Sequence, residues 1–470
     1  MRRFNAAITY KIKEKNMPSQ IEIPFLQVGT LSLKTAASPA RDCWTLGCET
    51  LDRDYANFDA YKDYIPQLAV GSLRFQAGWA KTEKTPGVYD FSWLDAQVDA
   101  ALAMGINPLL ETGYGNAIYP GGAGPDIGCG LPTGEGLQAY FRWVREMVRH
   151  YKGRVHDYAM WNEPDSGRQN QTNEEIVDFN IQTARVIHEE LPEARIGALS
   201  IADFSNVWRF SHYIRLFHER GALNDFDWFM FHSYKSNPDQ IGDVYRTLDA
   251  TLKYYKARGI LRQGEAGCPS QLTTRFSMKG VDWTELSQSK WNLRHFITDH
   301  AFGVPSSIFT ICDFNHLQKI KNGPGGEINR KGLLMADEEH RVIRPKQAFH
   351  AMRCMTTLFD DDTRPVEGGM AAVLADRLST AYTWKRKNDN ILAYWDRSKV
   401  PGNGTQPETA VVAARNFSFN NPVLIDPVSG RVFEISPEHI QLNGDLQLFH
   451  DMPWIDSPLV IAERRAFSII

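Results

Sequence analysis

Short apolar runs alternate with longer amphipathic segments from residue 40 to residue 355 of this 470-residue chain. The apolar runs lie at 44–47, 70–75, 107–111, 158–161, 195–199, 228–232, 260–262 and 307–311. The segments at 94–104, 136–151, 173–190, 211–219, 244–257 and 284–302 carry apolar residues at the three- and four-residue spacing of helices with one buried face. Eight such strand-helix units in about 300 residues predict a (β/α)8 TIM barrel, an α/β fold, over residues 40–358.

A different pattern follows the predicted barrel. Alternating apolar runs at 410–414, 422–425, 431–435, 446–449 and 458–462 are interrupted by turn-forming stretches at 426–430 and 443–445. This pattern predicts a smaller antiparallel β-sandwich domain over residues 359–470. The N-terminal segment, residues 1–39, contains a strand-like stretch at 21–33 that is a candidate for additional strands of that domain.

Two glutamates follow the fourth and seventh apolar runs. Glu163 ends the sequence Trp161-Asn162-Glu163, and Glu265 is flanked by small residues in the stretch 264–267. Their spacing matches three strand-helix units of about 31 residues each in a barrel of typical size. Because active sites of such barrels lie at the carboxyl ends of the strands, we expect both carboxylates at one mouth of the barrel.

A pair of carboxylates at one barrel mouth is what glycoside hydrolysis requires. One carboxylic acid protonates the departing sugar oxygen, and the other, ionised, attacks the anomeric carbon or activates water. The amide of Asn162 can reach a sugar hydroxyl, which favours Glu163 as the acid/base and Glu265 as the nucleophile. Arg74 and Tyr234 are candidates to stabilise the ionised form of Glu265.

These motifs resemble those of clan A of the glycoside hydrolases. The resemblance rests on Trp-Asn-Glu-Pro after the fourth run, Phe-His-Ser-Tyr after the sixth and Gly-Glu after the seventh, and it is strongest to family 39 and its relatives. It implies a retaining (β/α)8 enzyme in which Glu163 is the acid/base and Glu265 the nucleophile. It also implies that Asn162 binds the sugar 2-hydroxyl and that Arg74 and Tyr234 lie beside the nucleophile. The stretch 263–268 differs from the usual endings of the seventh strand in this clan.

Further aromatic and polar residues follow the predicted barrel strands, where stacking surfaces and hydroxyl partners for a sugar are needed. For each of them, packing or loop capping is the competing interpretation. The predicted substrate-binding set consists of Asn162, Arg74 and Tyr234 together with His232, Tyr114, Asn116, Trp79, Asp313 and His316.

Motifs for metals and phosphate cofactors are missing from the sequence. The histidines form neither His-x-His in the first run nor His-Glu-x-x-His, the glycine-rich stretch at 122–128 has the wrong spacing for a dinucleotide loop, and no P-loop occurs. The sequence therefore predicts neither a metal nor a cofactor. Cys268 is interpreted as a buried structural thiol, because no partner of a cysteine nucleophile is identifiable.

The charge balance excludes some classes of partner. A formal net charge of −4 at pH 7 provides no basic field for nucleic acid or an anionic membrane surface, and no run approaches the roughly 20 apolar residues of a membrane span. The six cysteines form no Cys-x-x-Cys pair, and residues 1–19 have no apolar core of a secretion signal, so a cytoplasmic protein is expected. A carbohydrate is the predicted partner, and homo-oligomerisation stays open.

Together these features predict a retaining, exo-acting β-glycosidase that works by double displacement through a glycosyl-enzyme intermediate. The long loop at 113–136 favours a closed, exo-acting pocket. Two alternatives stay open at this point: an endo-β-glycanase of the same clan with an open cleft, and a catalytically inactive carbohydrate-binding barrel.

Overall fold

Eight parallel strands close into a barrel, which confirms the predicted fold class. The computed structural model describes residues 20–36, 40–166, 171–202, 206–315, 328–366 and 368–470. Strands are numbered from β1 (Gln27–Thr30), and the barrel consists of β2 (Ala40–Gly47), β3 (Val70–Gln76), β4 (Asn107–Glu111), β5 (Asp157–Ala159), β6 (Arg195–Ile201), β7 (Trp228–His232), β8 (Ile260–Ala266) and β9 (Ser306–Ile308). Pairing of Trp44 in β2 with Ser306 in β9 closes the ring.

Helices lie between successive barrel strands, and the last of them follows β9. They are α1 (Phe58–Tyr61), α2 (Trp79–Thr82), α3 (Ser92–Ala103), α4 (Gly134–Tyr151), α5 (Asn173–Glu190), α6 (Val207–Glu219), α7 (Ile241–Tyr254), α8 (Glu285–Ala301) and α9 (Gln347–Leu358). Short 3-10 helices lie at Leu51–Arg53, Lys62–Leu68, Leu223–Asp225, Pro238–Gln240, Pro437–His439 and Arg464–Ala466. Helix α5 begins with a capping box between Thr172 and Glu175, which satisfies backbone donors of its first turn.

The strand β6 departs from regular geometry near its end. Its pairing with β7 shifts between Ala198 and Ile201, and the intervening Leu199 and Ser200 have φ of 79° and 46°. This irregularity turns the carbonyl of Ser200 toward the backbone N–H of Glu163, which donates to it at 2.9 Å. The bulge in β6 therefore positions the residue that follows β5.

The C-terminal part of the chain is antiparallel. Its strands are β10 (Leu334–Ala336), β11 (Val342–Pro345), β12 (Thr363–Pro365), β13 (Met370–Leu374), β14 (Ser379–Arg386), β15 (Asp389–Asp396), β16 (Glu408–Arg415), β17 (Pro422–Asp426), β18 (Arg431–Glu434), β19 (Ile440–Asn443), β20 (Leu446–Trp454) and β21 (Leu459–Glu463). A seven-stranded sheet has the order β1-β18-β17-β21-β15-β14-β12, and a four-stranded sheet has the order β13-β16-β20-β19. Strand β1 thus joins the seven-stranded sheet by pairing with β18.

Apolar side chains from both sheets form one core, with Leu392, Tyr394, Val412 and Phe449 fully buried in it. Sheets that share such a core form a sandwich. Buried polar contacts fix this sandwich to the barrel. The indole of Trp395 donates to Asp239 at 2.6 Å.

No helix in the described part of the chain is long and apolar enough to cross a membrane.

Candidate active site

The two predicted catalytic glutamates meet at the carboxyl end of the barrel. Glu163 follows β5, and Glu265 lies near the end of β8. One carboxylate oxygen of each and one ring nitrogen of His232 all lie within 4.8 Å of one another. The side chain of Glu163 is 14 % exposed and that of Glu265 only 7 %, so Glu163 is the more solvent-accessible of the two.

The backbone of Glu163 is held in an unusual conformation. Its φ of 47° lies in the left-handed region, which non-glycine residues adopt rarely and at some cost in energy. The hydrogen bond from its N–H to Ser200 and a 3.1 Å bond from the N–H of Ser166 to its carbonyl maintain this conformation. Such strain commonly occurs where a side chain must be aimed at a reacting atom.

Hydrogen-bond donors occupy both carboxylate oxygens of Glu265. The guanidinium of Arg74 donates to Oε1 at 2.6 Å, and the hydroxyl of Tyr234 donates to Oε2 at 2.8 Å. Burial alone would raise the pKa of Glu265, but the positive charges of His232 and Arg74 outweigh it and hold the pKa below its ordinary value. Glu265 is therefore ionised at neutral pH, as a nucleophile must be.

His232 bridges the two glutamates. Its Nδ1 lies 2.8 Å from Oε1 of Glu163 and 3.5 Å from Oε2 of Glu265. Burial alone would lower the pKa of His232, but the charge of Glu265 and the contact with Glu163 outweigh it and raise the pKa. The two acidic groups thus favour the protonated form of His232.

Arg74 lies at the centre of a buried ring of acceptors. Besides Glu265, its guanidinium donates to Glu49 at 2.7 Å, to Asn162 at 2.9 Å and to Glu111. Arg74 and Glu111 are fully buried, and Glu49 is nearly so. Sequence reasoning missed Glu49 and Glu111. The available signal was a glutamate at or just beyond the end of an apolar barrel run, the same signal that revealed Glu163.

Asn162 connects this ring to Tyr114. Its side-chain oxygen accepts from Arg74, and its Nδ2 donates to the hydroxyl of Tyr114 at 2.8 Å. The guanidinium of Arg53 lies 4.7 Å from the centre of the Tyr114 ring. The predicted residues Arg74, Tyr114, Asn162, His232 and Tyr234 therefore form one connected network with the two glutamates.

Trp79 and Asn116 belong to a different cluster, centred on the buried Glu83. The indole of Trp79 donates to the Glu83 carboxylate at 2.6 Å, and the Asn116 amide donates to its carbonyl at 2.7 Å. Trp79 is fully buried and stacks between Tyr119 and Trp143. These contacts fit the packing interpretation of both residues, because their polar atoms already have protein partners.

Asp313 lies in a buried ion cluster of its own. It accepts from Lys346 at 2.6 Å, from Arg330 at 3.0 Å and from the backbone N–H of Gly332 at 3.1 Å. These donors satisfy both carboxylate oxygens, so Asp313 orders the loop after β9. The remaining predicted residue, His316, lies outside the described residues.

The arrangement of Glu163, His232 and Glu265 could in principle hold a metal ion. A metal on Nδ1 of His232 would place the ring proton on Nε2, and metal-bound histidines normally donate that proton to an acceptor. Nε2 of His232 is buried and has no hydrogen-bond partner among the described residues. His232 therefore lacks the acceptor on its second ring nitrogen that normally accompanies a histidine metal ligand.

Gly264 provides the space for the His232 ring. A Cβ at position 264 would lie 3.0 Å from two atoms of this ring, and no positive φ forbids alanine there. We expect Gly264→Ala to displace the ring by tenths of an ångström and to lower turnover roughly tenfold while the protein folds normally. The measurement is the steady-state kinetics of Gly264→Ala and of the control variant Gly404→Ala. A Cβ at position 404 would have no neighbour within 4 Å. Equal rates for both variants would mean that the position of His232 is not critical.

Comparisons with known proteins bear on the fold. No protein-family model and no curated protein sequence matches the chain. Among solved structures, a family 39 glycoside hydrolase from the gut symbiont Bacteroides cellulosilyticus WH2 superposes with a TM-score of 0.65 at 14% identity, covering 92% of this chain and 82% of that one. A monomeric β-xylosidase from Caulobacter crescentus CB15 gives a TM-score of 0.57 at 13% identity, with 93% and 98% covered.

A family 39 enzyme from Xanthomonas axonopodis pv. citri superposes comparably, with a TM-score of 0.56 at 15% identity and with 95% and 98% covered. The similarity extends over the barrel and the sandwich in each case, because more than nine-tenths of this chain is aligned. The chain therefore has the fold of the family 39 glycoside hydrolases of clan A, a (β/α)8 barrel with a β-sandwich.

Proposed function

We propose that the protein is a retaining, exo-acting β-glycosidase that hydrolyses a β-linked glycoside or oligosaccharide. The observation that carries the proposal is the approach of the Glu163 and Glu265 carboxylate oxygens to within 4.8 Å. Retaining enzymes hold their two carboxyl groups about 5 to 5.5 Å apart, whereas inverting enzymes need about 6.5 to 9.5 Å to admit a water molecule. The short separation supports direct attack by a carboxylate.

The contacts of the two glutamates support distinct roles. Glu265, held ionised by Arg74 and Tyr234, attacks the anomeric carbon and forms a glycosyl-enzyme ester. Glu163 gives its proton to the departing oxygen in this step. It then removes a proton from the water that cleaves the ester, so both groups return to their starting states.

Asn162 suits a contact with the sugar. One of its two amide hydrogens is used by Tyr114, which leaves the other for a hydroxyl group near the reacting carbon. Because Arg74 fixes the amide oxygen, the Nδ2 group is oriented before substrate arrives. Preorganised donors of this kind contribute most when they bind the transition state.

A panel of aryl β-glycosides that differ only in the sugar tests the proposal. One solved relative in fold is described as a β-xylosidase, so the aryl β-xyloside is the first member of the panel. We expect proton NMR to show release of the aryl group together with the β-anomer of the sugar. Release of the α-anomer would contradict the retaining mechanism, and no turnover on any member would favour an inactive sugar-binding barrel.

Exo action is tested on oligosaccharides of the sugar that the panel identifies. An exo-acting enzyme releases single sugars from one chain end, so the product mixture contains monosaccharide from the first turnovers. Early release of di- and trisaccharides from internal positions would instead identify an endo-β-glycanase.

Tyr234→Phe is expected to move the pH profile. The Tyr234 hydroxyl is one of the donors that lower the pKa of Glu265, so its removal raises that pKa. Since Glu265 must be ionised to attack, the acidic limb of kcat/KM should move to higher pH, and the maximum should fall about tenfold. An acidic limb unchanged from that of the wild type would show that Tyr234 does not stabilise the carboxylate.

A further inference from the structure

Three carboxylates surround the single guanidinium of Arg74. Glu49 and Glu265 accept from the same nitrogen, Nη1, at 2.7 and 2.6 Å, and Glu111 accepts from Nη2. All four side chains are at most 7 % exposed. Three buried negative charges around one positive charge are strongly unfavourable, because nearby like charges disfavour ionisation and water is excluded.

The hydrogen bonds distinguish the three carboxylates. Glu265 has a donor on each oxygen, from Arg74 and from Tyr234, which favours its ionised form. Glu111 accepts from a nitrogen that it shares only with the neutral amide of Asn162. Glu49 and Glu111 each have one buried oxygen without a hydrogen-bond partner among the described residues, Oε2 and Oε1 respectively. Of these two residues, Glu49 is the one that shares its guanidinium nitrogen with a second carboxylate, that of Glu265.

We propose that Glu49 is a positioning residue that holds a proton in this ring, so that the charge of Arg74 acts on Glu265. The proposal rests on the assignment of Glu265 as the nucleophile. A neutral Glu49 keeps one hydrogen bond from Arg74 and fixes the guanidinium, but it does not repel the carboxylate of Glu265 across Nη1. An ionised Glu49 would draw Arg74 away from Glu265 and raise the cost of ionising the nucleophile.

The electrostatics of Glu49 agree with this geometry. Burial raises its pKa to about 8, assisted by Glu265 and Glu111, while Arg74 and His232 oppose the shift. The other titratable groups that interact with Glu49 are uncharged at neutral pH, because the pKa of each is raised. They are Cys48, Tyr61 and Tyr234.

The test compares Glu49→Gln with the wild type. Glutamine copies a protonated glutamate in shape and charge, so we expect kcat/KM on an aryl glycoside to stay within about threefold of the wild type near pH 6. Glu111→Gln is the matched control. Burial raises the pKa of Glu111 too, against the opposing charge of Arg74, but no second carboxylate shares its guanidinium nitrogen. Removing the charge that Arg74 balances there should lower kcat/KM at least about tenfold. A loss of about a hundredfold in Glu49→Gln near pH 6 would overturn the proposal.

A second measurement does not depend on activity. In the folded protein Glu49 keeps its proton up to about pH 8, whereas in the unfolded chain it loses the proton above its ordinary pKa. The bound proton therefore stabilises the folded protein. This contribution to the free energy of unfolding falls from about pH 5 to about pH 8 and is then lost. Glu49→Gln has no such group. Its Tm should therefore rise relative to the wild type across this window and level off above it. A constant difference in Tm would mean that Glu49 is ionised in the folded protein.

Difference infrared spectroscopy of the wild type covers the case in which Glu49→Gln does not fold. A buried protonated carboxyl gives a C=O band that disappears as the pH is raised through about 8. The band should persist in Glu111→Gln and in Asp299→Asn, because burial raises the pKa of Asp299 to about 7 and its carboxyl would otherwise give a similar band. Its absence from the wild type would overturn the proposal even if turnover confirms that the protein is a glycosidase, and its presence would support the proposal even if no substrate is found.

Discussion

Glu265→Gln is expected to abolish turnover on every substrate, with kcat at least about 10⁴-fold below that of the wild type. The amide preserves the shape of the side chain, and its single oxygen can still accept from Arg74, but it has no negative charge with which to attack the anomeric carbon. Because the glycosyl-enzyme can no longer form, the quality of the leaving group should make no difference. Steady-state kinetics on good and poor leaving groups are the measurement.

The intermediate provides a direct control for this prediction. A glycoside that is activated at its leaving group and slowed at the second step should label the wild type at Glu265, as seen by peptide mass spectrometry, and should leave Glu265→Gln unlabelled. Glu189→Gln changes an exposed helical glutamate in the same way and should retain full activity. Labelling at any other carboxylate would disprove the role of Glu265.

The sequence was sufficient to predict the barrel and the position of Glu163 and Glu265 at its strand ends. Continuous apolar runs mark strands that are buried on both faces, and helix periodicity between them implies parallel order. The boundaries were less accurate. Hydrophobicity extends the fourth run to Trp161, but β5 ends at Ala159, and the eighth run extends to residue 311 whereas β9 ends at Ile308. Hydrophobic character reports burial, and buried residues continue past the last strand pairing.

The candidate site was predictable to the extent that a residue type implies its chemistry. The Asn-Glu-Pro sequence after β5 indicated a functional carboxylate, but the left-handed φ of Glu163 depends on the bulge in β6, some forty residues further along the chain. Trp79 and Asn116 were predicted to bind sugar because they follow strands. Their contacts with Glu83 depend on tertiary packing that no local pattern reveals.

The ring around Arg74 illustrates the same limit. Glu49 and Glu111 are ordinary glutamates in the sequence, and only the closed barrel brings β2, β3, β4 and β8 together around one guanidinium. The protonation state of a carboxyl in such a ring cannot be assigned from that residue alone, because the protonation of each carboxyl depends on the others. The candidate site is therefore a network of coupled groups rather than two isolated carboxylates.

Glu163→Ala is expected to give a loss that depends strongly on the leaving group. Without the acid, a glycoside with a poor leaving group should lose about 10³-fold or more in kcat/KM, because its oxygen must be protonated as it departs. A glycoside with a strongly activated aryl group needs no proton and should keep most of its first-step rate. For that substrate the second step becomes limiting, because no base activates water, and the glycosyl-enzyme should accumulate.

Azide provides the decisive measurement for Glu163. This small anion needs no general base, and removal of the Glu163 side chain opens space beside the anomeric carbon, so azide should restore turnover and yield the β-glycosyl azide. Azide should not rescue Glu265→Gln in this way, because the glycosyl-enzyme on which it acts does not form there. Equal losses on good and poor leaving groups, with no effect of azide, would contradict the assignment of Glu163 as the acid/base. They would indicate instead that its contact with His232 is structural.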